Sequence, residues 1–168
     1  MQAHTPAGQL HPTDQLLVFT NLFTFHATQA STNGTYAVFE EGVPPLGGPP
    51  PHTHPDEEVF YVLSGDFEFV LHDLTKPFKV ARGEVVQIPS NALHTYKNVG
   101  QSVGKLLTII SPGNLEQYFR AIGTEVKSKE EMPDLNLPPD LAKLDLAKAF
   151  AIAADHQVHF YLPAFIKS

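Results

Sequence analysis

Two short stretches carry most of the side chains that could do chemistry: Pro49-Pro50-Pro51-His52-Thr53-His54-Pro55-Asp56-Glu57-Glu58 and Pro89-Ser90-Asn91-Ala92-Leu93-His94. His52 and His54 are two residues apart, which in an extended strand puts both imidazoles on one face with Thr53 opposite. Glu58 opens the next apolar run after a Pro-Asp turn, so its carboxylate can return to that face from a neighbouring strand. His94 follows a strand ending at Pro89 and a tight turn, and enters another strand near the same depth. Three imidazoles and one carboxylate are borderline to hard donors, suited to Mn, Fe, Co, Ni, Cu or Zn, with geometry and supply deciding among them. On an octahedral ion they leave two positions for water, substrate or dioxygen. The chain has no cysteine, which excludes thiolate metal sites, a disulfide framework and a cysteine nucleophile.

Strands must hold these groups, and the first three-quarters of the chain supplies them. Segments 16–19, 22–25, 36–39, 59–63, 67–71, 78–80, 85–88, 93–96 and 106–110 are rich in β-branched and aromatic residues. They are punctuated by turn residues such as Ser64-Gly65-Asp66, Arg82-Gly83 and Pro89-Ser90-Asn91, and Asn33-Gly34 is a strong hairpin signal. Many short strands with turns between them indicate an antiparallel sandwich or barrel. After Pro112 the pattern turns helical. Asn114 and Gln117 resemble a capping box for a helix at 115–122 with Gly123 as its stop, and Asp140 can cap a second helix at 141–154. At 168 residues one domain is expected, with a β core over about 15–111 and a helical flank over about 112–168.

Composition removes several function classes. Eleven basic against 18 acidic residues give a net charge of −7, with no Lys/Arg cluster, so the electrostatic footprint of a nucleic-acid binder is missing. No apolar run is long enough for a membrane helix, and the first residues have neither a basic nor an apolar leader region, so no membrane association and a cytoplasmic location are expected. No phosphate loop, dinucleotide fingerprint or serine-nucleophile motif occurs. His4, His11, His72, His156 and His159 lack companion residues and read as surface or end-of-element histidines, while His26 lies at a strand edge.

Taken together, His52-x-His54-x3-Glu58-x6-Gly65 and Gly83-x5-Pro89-x-Asn91-x2-His94-x3-Asn98 resemble the two motifs of the cupin family. Asn91 stands where the family usually has glycine, and it tolerates left-handed backbone better than most residues. Leu46 stands at the spacing of the first motif's leading glycine, with Gly47 one residue late. The resemblance covers about 36–111. It implies a mainly β, double-stranded β-helix (jelly-roll) barrel with C-terminal flanking helices, in which His52, His54, Glu58 and His94 ligate one divalent transition metal. Residues 112–119 are also similar to quercetin-dioxygenase-like cupins.

Strand alternation nominates the surroundings. Phe60 and Val62 share the inward face of Glu58, leaving Glu57 outside, and Tyr96 and Asn98 share that of His94. Phe60, Val62, Phe69 and Tyr96 are the expected substrate-pocket residues, and a buried Tyr96 hydroxyl needs a partner. Asn98 reads as a structural hydrogen bonder. Three functions stay open: a mononuclear metal dioxygenase-like enzyme acting on a small apolar or aromatic compound, with Glu58 also serving as base; a non-catalytic small-molecule binding or sensing module; and a sugar or keto-acid isomerase, which would need a more polar pocket. The crowding of Phe19, Leu22, Phe23 and Phe25, together with the resemblance, leads to the expectation of a homodimer paired through an edge strand. Segment 44–51, with five prolines and two glycines, is either a stiff gate at the barrel mouth or a connector holding His52 in register, and the helix at 115–122 is a candidate to close the other side.

Overall fold

Period-two alternation becomes a two-sheet barrel in the computed structural model, which describes residues 14–161. The strands are β1 (Gln15–Val18), β2 (Asn21–Ala27), β3 (Ala37–Val43), β4 (His52–Thr53), β5 (Glu57–Ser64), β6 (Asp66–Leu71), β7 (Phe78–Ala81), β8 (Val85–Ile88), β9 (His94–Asn98), β10 (Gly104–Ser111), β11 (Thr124–Glu125) and β12 (His159–Phe160). Two α-helices follow the barrel, α1 (Leu115–Ile122) and α2 (Leu146–Ala153). One sheet has the order β11-β1-β2-β3-β10-β5-β8 and the other β12-β4-β9-β6-β7, with every pairing antiparallel. This is the jelly-roll barrel with a C-terminal helical flank. Among the described residues no helix is long and apolar enough to cross a membrane. His4 and His11 lie outside the described residues.

Two apolar clusters fill the molecule. Phe60, Val62, Phe67, Phe69, Ile88, Tyr96 and Leu106 pack between the sheets. Phe23, Phe25, Phe39 and Ile110 pack with Leu115, Tyr118 and Phe119 of α1 and Ala153 of α2. Phe23 stacks on Phe39 at 4.7 Å and meets Phe119 edge-on at 4.9 Å. The aromatics near the N-terminus are therefore covered by the chain's own helix, and their crowding alone does not call for a second copy.

Both helices depart from expectation at their ends. The side chain of Asn114 makes no cap hydrogen bond. The orphan donors at the start of α1 are taken instead by Asp56, whose carboxylate accepts from the backbone N–H groups of Gly113 (3.1 Å), Asn114 (3.1 Å) and Leu115 (2.8 Å). The second helix is broken. Asp140 caps only a 3-10 turn at Leu141–Lys143, and α2 restarts at Leu146 with Asp145 accepting from the Lys148 N–H. Local capping by a second aspartate overrides the apolar pattern that read as one continuous helix.

Segment 44–51 is pinned along β9. Leu46 N–H donates to the Asn98 carbonyl (2.9 Å), Asn98 N–H to the Gly47 carbonyl (3.0 Å), and Thr95 Oγ1 to the Pro49 carbonyl (2.7 Å). This bonding supports the connector over the gate. Leu46 itself has φ 64, the left-handed geometry that the family's glycine would supply without strain. Gly48 has φ 145, and a Cβ there would fall far inside contact with the Tyr96 carbonyl oxygen. Gly48→Ala is therefore expected to cost about 2 kcal/mol or more, lowering the melting temperature by about 4–8 °C in a thermal unfolding scan. An unchanged melting temperature would show that this segment is free to move.

Candidate metal centre and its cavity

The ladder brings the histidines together. β4 pairs with β9 so that His52 lies directly opposite His94, and His54 follows β4 within the same wall. Across the barrel, β5 is held between β10 and β8, with Glu58 opposite Ile110 and Ile88. All four side chains are buried, and one ring nitrogen from each of His52, His54 and His94 lies within 4.8 Å of the others. The Nε2 atoms of His54 and His94 are each 3.2 Å from Glu58 Oε2.

Each imidazole is aimed by its other nitrogen. His52 Nδ1 pairs with the Pro50 carbonyl (2.8 Å), His54 Nδ1 with that of Asp56 (3.0 Å), and His94 Nδ1 with that of Ala92 (2.9 Å). A carbonyl only accepts, so all three rings carry Nδ1–H and turn Nε2 inward. With Nδ1–H fixed, bare Nε2 lone pairs facing a carboxylate oxygen at 3.2 Å repel unless a cation or a proton lies among them. Donors each about 2.1 Å from one ion and at right angles lie about 3 Å apart, close to the separation seen. The donor set fits one divalent metal ion.

Electrostatics point the same way. Burial, aided by the neighbouring His94 and His54, pushes the His52 pKa down to about 3, so this ring is neutral. Burial opposes charge on His54 as well, but the hydrogen bond and charge of Glu58 lift it above the ordinary histidine value. Burial opposes charge on Glu58, yet its two imidazole partners hold it well below the usual carboxylate range. A raised His54 pKa means that a proton is bound below that pKa and must be displaced by a metal. Metal affinity is therefore expected to fall with falling pH by about tenfold per unit, starting above the free histidine value of about 6.5. A chelator-competition titration across this range checks it, and a flat affinity would contradict histidine ligation.

A cavity of about 40 Å³ opens against this cluster where the two apolar clusters meet. Its polar pole is His52, Glu58, Tyr96, Asn21 and Glu41, and its apolar wall includes Phe60, Phe23, Leu115, Phe119 and Phe160. Of the four expected pocket residues, Phe60 and Tyr96 line it. Val62 and Phe69 do not: both are buried in the cluster between the sheets, Val62 one step beyond Phe60 on β5 and Phe69 beside Tyr96 on the neighbouring strand. The helix at 115–122 does close one side, through Leu115, Tyr118 and Phe119. The other side is closed by β12, where Phe160 pairs with His52 in register and places its ring 5.8 Å from the imidazole.

The Tyr96 hydroxyl finds its partner in Glu41, to which it donates, and it accepts from Asn21 Nδ2 at 2.8 Å. Glu41 escapes the sequence pattern because the β-rich run at 36–39 stops short of Glu40-Glu41; in the structure β3 continues, and alternation through Phe39, Glu41 and Val43 turns it inward. Asp56, which ties the histidine loop to α1, carries no signal beyond its place between His54 and Glu58. Asn98 is the structural hydrogen bonder expected, donating to the Val43 and Ser102 carbonyls, and Asn91 takes φ 60. His26 pairs with Glu40 at 3.2 Å across strands, and His72 and His159 are exposed.

Comparison with known proteins extends the picture. Residues 39–110 match the family model described as the cupin domain. A vicilin-like seed storage protein from Arabidopsis thaliana is 36% identical over 78 residues, which are 42% of this chain and 16% of that protein's length. Among solved structures, a polyketide cyclase from Streptomyces resistomycificus superposes with a TM-score of 0.53 at 21% identity, over 67% of this chain and 80% of the cyclase. Oxalate decarboxylase from Bacillus subtilis, studied for its Mn(II) centres, superposes with a TM-score of 0.54 at 15% identity, over 66% of this chain and 31% of that enzyme. At such identities the likeness is one of fold.

Proposed function

We propose, from the match of residues 39–110 to the cupin-domain model, that the chain is a mononuclear metal-dependent enzyme of dioxygenase-like type acting on a small, largely apolar compound. One observation carries the reading: a small, mostly apolar cavity lies directly against His52 and Glu58 of a four-donor cluster. His52, His54, Glu58 and His94 would hold the ion. The Bacillus decarboxylase, a neighbour in fold with Mn(II) centres, supports a divalent metal without naming which. When bound, the ion supplies Lewis-acid and redox chemistry. The chain's own contribution is to orient a ligand between the polar pole and the aromatic wall, to exclude water, and to accept or return a proton.

The volume narrows the substrate. A cavity of about 40 Å³ holds on the order of three waters, and benzene is known to enter cavities nearer 150 Å³. The ligand is therefore compact, or α1 and β12 part to admit it. The same closure favours a second reading, a binding or sensing module that retains its ligand without turnover. An isomerase of sugars or keto acids is supported less, because the wall away from the metal donors is aromatic and aliphatic. A homodimer rests on the family resemblance, and sedimentation over a range of concentrations checks it.

Oxygen uptake separates the readings. Metal-reconstituted protein offered compact enols and phenols is expected to consume dioxygen, and Glu58→Gln to lose that uptake. Binding without oxygen uptake or product identifies the sensing module, and turnover undiminished under anaerobic conditions identifies an isomerase-like reaction.

A further inference from the structure

One buried acid has no part in holding a metal. Glu41 on β3 is 1% exposed. One of its oxygens accepts from Thr108 Oγ1 at 2.6 Å, and the other accepts from Asn21 Nδ2 at 3.2 Å and from the Tyr96 hydroxyl. It lines the same cavity as His52 and Glu58. A wholly buried carboxyl is costly, and packing does not call for one, since its inward neighbours on β3 are Phe39 and Val43.

The surroundings suit a group that gains and loses a proton. The titratable groups that face Glu41 are Tyr96 from β9 and Glu58 from β5, with His52 of β4 on the same cavity wall; Asn21 from β2 and Thr108 from β10 are neutral. Among the described residues no basic side chain bonds to it. Burial, with the charge of Glu58 adding and the three hydrogen bonds opposing, raises its pKa to about 7. Glu58 is the poorer acceptor, because its Oε2 lies among the His54 and His94 Nε2 atoms and would be held by the ion.

We propose that Glu41 is the proton acceptor of this cavity for compact O–H acids, such as enols, phenols and hydroxamic acids, that bind the His52/His54/Glu58/His94 centre as oxyanions. The inference rests on the metal-centre reading. The ligand's O–H bond breaks and its oxygen keeps the electron pair. The released proton goes to the Tyr96 oxygen as the proton of Tyr96 passes to Glu41 Oε2, so the net change is one proton moved from ligand to Glu41. Asn21 and Thr108 keep the carboxyl oriented in either state.

Calorimetry of acetohydroxamic acid binding to Co(II)-loaded protein, in buffers of different ionisation heat, counts the protons released. Near pH 8 the wild type is expected to release close to none, because Glu41 starts ionised and the bound oxyanion, a like charge in the same cavity, raises its proton affinity so that it keeps the proton. Near pH 6 it is expected to release about one, because Glu41 is already protonated. Glu41→Gln is expected to release about one at both pH values. A wild type that releases one proton throughout overturns the proposal, and this comparison stands even where the variant fails to fold. An absorption spectrum of the Co(II) protein that acetohydroxamic acid leaves unchanged also overturns it. Metal content is measured first on both proteins. Failure to load metal removes the metal centre itself, whereas normal loading with equal proton counts in wild type and Glu41→Gln rejects only the role of Glu41.

Discussion

With His52 and His54 both replaced by alanine, metal content is expected to fall from about one ion per chain to background. These residues supply two of the three inward-facing imidazoles, and what remains is Glu58 with one partner, His94, at 3.2 Å. Loss of an outer-shell hydrogen bond to a ligand already costs about 10–100-fold in metal affinity. Removing two ligands outright therefore costs at least about 10²–10⁴. The loss has a thermal signature, since a ligand present at 100 times its Kd stabilises by about 2.7 kcal/mol. Metal addition is thus expected to raise the melting temperature of the wild type by about 5–10 °C and to leave the double variant unmoved. Full metal content in the double variant would contradict the ligand assignment.

Asp56→Ala is expected to be the most destabilising single substitution near the site. Its carboxylate accepts three backbone N–H groups at the start of α1, and its bonds to Gly113 and Leu115 are buried. Hydrogen bonds to a charged group are worth about 1.5–3 kcal/mol, and orphaned buried donors add their own desolvation cost. A loss of about 2–4 kcal/mol follows, or about 4–16 °C in melting temperature. Asp56→Asn keeps one acceptor oxygen and is expected to recover about half of it. Because α1 covers the cavity with Leu115 and Phe119, faster hydrogen exchange across Leu115–Ile122 should accompany the loss. A variant as stable as the wild type would mean that α1 is held by its apolar face alone.

The contrast between these two predictions shows what the sequence makes legible. The histidines and Glu58 are read from spacing, because period-two geometry and a short turn leave few ways to arrange them. The barrel is read from the density of short β-rich runs. What escapes is whatever depends on partners distant in sequence. Asp56 and the helix it caps are 57 to 59 residues apart, and no local pattern links them. Glu41 meets Thr108 and Tyr96 across separations of 67 and 55 residues, and two adjacent acids read naturally as the end of a strand.

The aromatics near the N-terminus teach the converse. Phe23 and Phe25 are recognisable as residues that must be covered. Only the position of α1, fixed by Asp56 and by packing on Phe23 and Phe39, decides that the cover is the chain's own. In the same way, alternation correctly turns Val62 and Phe69 inward, but it does not say which inward residues border the cavity. Both are fully buried in the core, Val62 beyond Phe60 and Phe69 beside Tyr96, and neither lines the cavity.

The metal centre is tested most directly by elemental analysis of untagged protein, joined to X-ray absorption spectroscopy of the ion it carries. The expected result is about one divalent transition-metal ion per chain, with a shell of three imidazole nitrogens and at least one oxygen, lost in the His52→Ala/His54→Ala protein. Protein that carries no ion and takes up none on reconstitution, or an ion whose shell lacks histidine, would contradict it.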